Sequence, residues 1–116
     1  MRTLGLVGYG TVAGLALEAV AARLDRPLDL MVVCARAAGE ERARALTARH
    51  GARLARECLV VTTTEALVAA GPEVVIEAAG HEAVAVTGEA VLASGAEFVV
   101  SSVGALCDDD LHARLR

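Results

Sequence analysis

The sequence predicts an α/β fold, a parallel sheet with helices on both faces, and three observations carry that prediction. Short apolar segments alternate along the chain with Ala-rich segments of helical character. The strand-like segments are apolar at nearly every position, which suits strands buried on both faces rather than on one. The first of them, Leu4-Gly5-Leu6-Val7, runs straight into Gly8-Tyr9-Gly10-Thr11-Val12-Ala13-Gly14 and then into a helical pattern.

Taken in order, Thr3–Gly8 reads as a buried strand and Val12–Leu24 as a helix, with apolar residues at Val12, Leu15, Ala16, Ala19 and Val20. Pro27 breaks that helix, and Leu28–Cys34 forms a second strand. Gly39 to His50 is a charged helix that Gly51 stops. Cys58–Val61 is a short third strand, and Thr64 caps a short helix through Ala70 that Gly71-Pro72 ends. Val74–Ala78 is the fourth strand, Glu82–Ser94 a helix closed by Gly95, and Glu97–Ser101 the fifth strand. Asp108 or a neighbour opens a last helix that runs to Arg116.

The whole reads as one domain, residues 1–116, without linker or repeat. Because the chain ends inside an expected helix, it reads as truncated, with a second, catalytic domain absent. The edge or face such a domain would cover is then exposed, which predicts a homo-oligomer, in the simplest case a dimer.

Composition narrows the function. The formal charge of −4 comes from interspersed acids and arginines, which leaves no basic face for nucleic acid. No apolar run approaches the roughly 18 residues of a membrane span, and no signal-peptide pattern opens the chain, so a cytoplasmic protein is expected. All 11 basic residues are Arg, which removes Schiff-base and phosphate-loop lysine chemistry. Cys34, Cys58 and Cys107 are odd in number and widely spaced, neither a disulfide framework nor, with His50, His81 and His112, a zinc site.

The glycine pattern G-x-G-x-x-A after a strand and before a helix is the fingerprint of a Rossmann-type, doubly wound sheet that binds a dinucleotide. Gly8 permits the tight turn, and Gly10 lets backbone approach a pyrophosphate. Ala13 and Gly14 let the helix pack closely, and the phosphates lie on the unpaired N–H groups of the helix N-terminus. In such a sheet, ligands bind beyond the C-terminal ends of the strands. At the second strand end, where an NAD-preferring site carries a carboxylate about twenty residues past the glycines, this chain has Cys34-Ala35-Arg36. A missing carboxylate removes repulsion against a 2′-phosphate, and the Arg36 guanidinium can pair with it, which favours NADP over NAD. A solvated loop arginine is the alternative. Ala79-Gly80 and Ser102, Gly104 and Ala105 at the last two strand ends offer close backbone approach for a nicotinamide ribose and carboxamide, or merely tight turns. His81 could act as an acid or base, but also suits a half-solvated helix start. Asp108-Asp109-Asp110 suits a first helical turn better than a metal site. No catalytic set and no metal site is assigned.

With these strand ends laid out, the chain resembles the coenzyme-binding half of the L-aspartate dehydrogenase family, which is similar to homoserine-dehydrogenase-like N-terminal domains. The motifs are GLVGYGTVAG, VVIEAAGHEAV and FVVSSVGALCDDDL. The resemblance implies oxidation of aspartate to iminoaspartate with NAD or NADP, the imine then hydrolysing to oxaloacetate and ammonia. It implies that Gly8, Gly10, Thr11 and Val12 hold the pyrophosphate, and that Ala79, Gly80 and Ala105 line the nicotinamide. Gly80-His81 departs from the Ser-led pair usual there, and Cys34 stands where members often have Asp. The family's catalytic His and substrate-binding residues lie in its second domain, so this chain alone is expected to bind cofactor without turnover, and an amino-acid substrate only if that domain is supplied. A homoserine-dehydrogenase-like coenzyme domain and a non-catalytic dinucleotide-sensing module are the alternatives.

Overall fold

A computed structural model describes residues 2–79 and 81–100. Five strands, β1 (Thr3–Val7), β2 (Leu28–Cys34), β3 (Ala55–Val61), β4 (Val74–Glu77) and β5 (Glu97–Val100), form one sheet in the order β3-β2-β1-β4-β5. Every neighbouring pair is parallel. Helices α1 (Thr11–Arg23), α2 (Glu40–Leu54), α3 (Thr64–Ala69) and α4 (His81–Ala93) connect them. This is the Rossmann-type doubly wound sheet that the alternating pattern predicts.

The chain lays β1, β2 and β3 outward in one direction and then returns to place β4 on the other side of β1. Connections therefore leave β1 and β4 in opposite directions, and a crevice opens between their C-terminal ends. Two apolar clusters, one on each face, hold the layers together. Leu4, Leu6, Met31 and Val33 pack with Ala13 and Leu17 of α1 and Ala43, Leu46 and Leu54 of α2. On the other face Val7, Val32, Cys34 and Val75 pack with Leu67 of α3 and Val91 of α4.

Several local expectations are corrected. Ala13 and Leu17 form the buried stripe of α1, whereas Val12 and Leu15 are 51% and 59% exposed. With Ala and Leu at most positions of α1, the periodicity does not single out one face. Gly51 does not stop α2, which continues to Leu54 and enters β3 without a loop. The glycine is retained inside the helix because Cys58 packs on it; a Cβ there would lie 2.6 Å from the Cys58 Sγ. β3 accordingly starts at Ala55 rather than Cys58. It is an edge strand, so Arg56 and Glu57 reach solvent and break the apolar signal. Thr63, not Thr64, caps α3, its side-chain oxygen accepting from the Ala66 N–H at 3.1 Å. A short 3-10 turn, Ala37–Gly39, precedes α2 and has no counterpart in the sequence reading. Ser101, the helix expected from Asp108 and the residues between lie outside the described residues.

Candidate cofactor site

The strand ends are tied together by backbone hydrogen bonds that continue the ladders past the strands. The Gly8 N–H donates to the Cys34 carbonyl at 3.1 Å, Ala78 N–H to Val7 at 2.8 Å, and Ala35 N–H to Val61 at 3.0 Å. The exits of β1, β2, β3 and β4 thus form one continuous rim.

Gly8 is required by this rim. Its φ is +114°, a conformation that side chains disfavour, and a Cβ on it would stand 2.9 Å from the Ala78 carbonyl carbon and 3.0 Å from the Ala79 nitrogen. Only a glycine lets the exit of β1 lie flat on the exit of β4. Gly10 differs: its backbone is extended (φ −90°, ψ −162°), it caps α1 without a side-chain hydrogen bond, and a Cβ on it would meet none of the described residues within 4 Å. The first turn of α1 carries no acidic residue, so its positive end is not neutralised from within the helix. Thr11 opens α1, and Val12 is exposed in the same turn. Ala13 is fully buried against the sheet, as the motif requires. Gly14 instead faces α2, the position of its Cβ lying 3.7 Å from His50 Nε2 and 3.9 Å from Leu46 Cδ1.

Arg36 is exposed just past β2, at the residue that caps the 3-10 turn. Cys34 ends β2 as a buried thiol, its Sγ donating to the Thr63 carbonyl at 3.6 Å. Burial pushes the Cys34 pKa up, and the charge of Glu65 adds to the shift, so the thiol stays neutral. The last residues of β2 and its exit therefore carry a buried neutral thiol and an exposed guanidinium, and no carboxylate of their own. Glu65 is near enough for its charge to act on Cys34.

Ala79 is exposed beyond β4 and, with Ala78, lies against Gly8. The structure thereby brings together Gly8, Ala79 and the start of α1. Gly80, Ser102, Gly104 and Ala105 lie outside the described residues, as do Cys107, the Asp108–Asp110 run and His112. His81 opens α4. His50 is buried in α2, its Nε2 turned toward Gly14 of α1.

Two further residues belong to the site, Glu77 and Tyr9, for which the sequence pattern assigns no role. Glu77, the last residue of β4, is 0% exposed, and its Oε1 accepts from the Ala79 N–H at 2.7 Å. It shapes the turn that rests on Gly8. The signal was present: one carboxylate ends the otherwise apolar run Val74-Val75-Ile76. Tyr9 projects from the glycine turn onto Gly39, where a Cβ would fall inside its ring. Outside Tyr9, between α1 and α2, a groove of about 490 Å³ is lined by Tyr9, Gly10, Gly14, Arg42, Arg49 and His50.

Among the described residues, no helix is long and apolar enough to cross a membrane, and no three His, Cys, Asp or Glu residues converge as metal ligands.

Comparison with known proteins agrees with this geometry. The chain is 39% identical over 111 residues to L-aspartate dehydrogenase 1 of Bordetella parapertussis, covering 96% of this chain and 38% of that protein. The corresponding enzyme of Bordetella bronchiseptica is 38% identical over the same coverage. The chain thus spans well under half the length of the curated relatives it matches. Among solved structures, apo saccharopine dehydrogenase (L-Glu forming) from Saccharomyces cerevisiae superposes with a TM-score of 0.63 at 20% identity, covering 88% of this chain and 22% of that one. That likeness concerns the fold. The sequence model described as the homoserine dehydrogenase NAD binding domain matches residues 8–116. A glycine turn on a helix N-terminus at the switch point of a parallel sheet is what such a domain uses to hold a nicotinamide dinucleotide, and the chain belongs to the homoserine dehydrogenase NAD-binding domain family.

Proposed function

We propose that this chain is the coenzyme half of an aspartate-dehydrogenase-type oxidoreductase, oxidising L-aspartate to iminoaspartate with NADP preferred over NAD. Gly10 carries the reading of the pocket. Neither its backbone angles nor its neighbours among the described residues call for glycine, since a Cβ would meet none of them within 4 Å. The demand for a bare backbone is accounted for by a group that approaches from outside, beside the unneutralised end of α1.

On this reading Gly8, Gly10, Thr11 and Val12 hold the pyrophosphate through backbone N–H groups and the α1 dipole. Arg36 pairs with the 2′-phosphate, since the neutral Cys34 beside it exerts no repulsion. Ala79, Gly80, Ser102, Gly104 and Ala105 form the shelf for the nicotinamide half. The bound dinucleotide supplies the hydride acceptor; the residues named here position it and exclude water from one side. Hydride transfer also needs the substrate held in near-attack geometry. The 38–39% identity to aspartate dehydrogenases supports aspartate as that substrate. By themselves these 116 residues are expected to bind cofactor, to form a homo-oligomer and to turn over little.

Calorimetric titration with NADP and NAD, on the wild type and Arg36→Ala, tests the reading. NADP binding tighter than NAD, with the advantage lost in the variant, is the expected result. Equal affinities unaffected by the substitution would remove the NADP preference. Absence of binding by either nucleotide would count against the pocket itself.

A further inference from the structure

Selection between the two cofactors, on the reading just proposed, rests on where the Arg36 guanidinium stands. Arg36 opens a short turn, and the ring of Tyr9 packs against that turn. Arg36 caps the 3-10 turn Ala37–Gly39, which its own carbonyl closes by accepting from the Gly39 N–H at 2.8 Å. Gly39 is buried, and the ring of Tyr9 occupies the space a Cβ on Gly39 would need, with Cζ, Cε1 and the hydroxyl all in contact range. Tyr9 is anchored in turn between Gly8 and Gly10 and packs on the apolar cluster beneath α1 and α2. One aromatic side chain therefore spans from the pyrophosphate turn to the turn carrying Arg36.

We propose that Tyr9 is a specificity-determining positioning residue: packed on Gly39, it sets the Arg36 turn and thereby the discrimination between a dinucleotide with a 2′-phosphate and one without. Exposed loops lacking such a contact sample many conformations, and a guanidinium on a loose turn loses part of its advantage to ordering entropy. Gly39 follows from the same geometry, since any larger residue displaces either the ring or the turn.

The test reads the ratio of NADP to NAD affinity, in which losses at the shared pyrophosphate cancel. It uses the full chain with Arg36→Ala, Tyr9→Ala, Tyr9→Leu, Tyr9→Phe and Gly39→Ala, and NADP and NAD themselves as probes. Removing one charge-assisted phosphate pair is expected to lower the ratio about tenfold in Arg36→Ala. Tyr9→Ala and Gly39→Ala are expected to lower it most of the way to that level, while Tyr9→Phe, which keeps the ring, retains it. Tyr9→Leu preserves apolar bulk should Tyr9→Ala prove too unstable, and is expected to lower the ratio as well. A ratio that Arg36→Ala reduces, but that Tyr9→Ala, Tyr9→Leu and Gly39→Ala leave at the wild-type value, overturns the role of Tyr9 alone. A ratio that Arg36→Ala does not move overturns the assignment of Arg36, and the role of Tyr9 with it.

Discussion

Gly8 at the exit of β1 lies directly on the Ala78–Ala79 peptide at the exit of β4, close enough that a Cβ would stand 2.9 Å from the Ala78 carbonyl carbon. These strands are neighbours in the sheet although some seventy residues separate them in sequence, and the crevice above them is the switch point of the fold.

Gly8→Ala combines a positive φ with a backbone collision, so both stability and binding are expected to fall. The conformation alone costs about 1–3 kcal/mol. Thermal melting should show a lower Tm, and nucleotide affinity should drop at least about tenfold as the β1 and β4 exits separate. Retention of wild-type Tm and affinity together would contradict the close approach described for Gly8.

Glu77 offers a sharper contrast. Glu77→Ala leaves the Ala79 N–H without its acceptor and opens a cavity in a fully buried site. A lost buried acceptor costs about 1–3 kcal/mol before the cavity is counted. Glu77→Gln keeps an oxygen where Oε1 accepts and is expected to cost less. Urea unfolding of the two variants checks the order; a glutamine variant as unstable as the alanine variant would mean that charge, not the acceptor, matters at this turn.

Gly51 and Cys58 should behave as a coupled pair. Gly51→Ala forces the Cys58 Sγ away from a contact at 2.6 Å, and such overpacking costs about 1–3 kcal/mol. Cys58→Ala makes the room, so the double variant Gly51→Ala/Cys58→Ala is expected to recover most of the loss, aided by the higher helix propensity of alanine. Strictly additive effects in a double-mutant cycle would speak against the contact.

Comparing the wild type with Cys34→Ser at alkaline pH isolates Cys34. Burial, with Glu65 adding, raises its pKa in the folded state above the ordinary value of 9.0. The neutral thiol is thus favoured by folding: its contribution is fully present below the unfolded value and is lost as pH rises through the raised folded one. Burial raises the Cys58 thiol as well, so the comparison with Cys34→Ser, not the wild-type slope alone, carries the test. Stability measured by denaturant between roughly pH 8 and 11 should decline in the wild type and more gently in Cys34→Ser. Identical slopes would show that Cys34 does not titrate across folding.

Much of the fold was legible because its signals are local. The apolar runs of β1, β2, β4 and β5, the glycine turn and the Pro27 break each act within a few residues. The pattern of the edge strand β3 is short because Arg56 and Glu57 interrupt it, and only the sheet order shows that they face solvent at an edge. On propensity alone Gly51 stops a helix; its role here depends on Cys58 packing across from β3. Glu77 looked like one more strand residue until the register beside Val7 placed it in the crevice.

The sequence by itself determined the class of fold, the dinucleotide fingerprint and the absence of a carboxylate at the end of β2. These depend on residue type and short-range periodicity, which the chain carries in any conformation. Tertiary structure alone decided that Gly8 rests on Ala78, that Tyr9 fills the space beside Gly39, and that Glu77 is sealed beneath the rim. Those relationships join segments far apart in sequence, and close packing across a sheet, not any local preference, creates them.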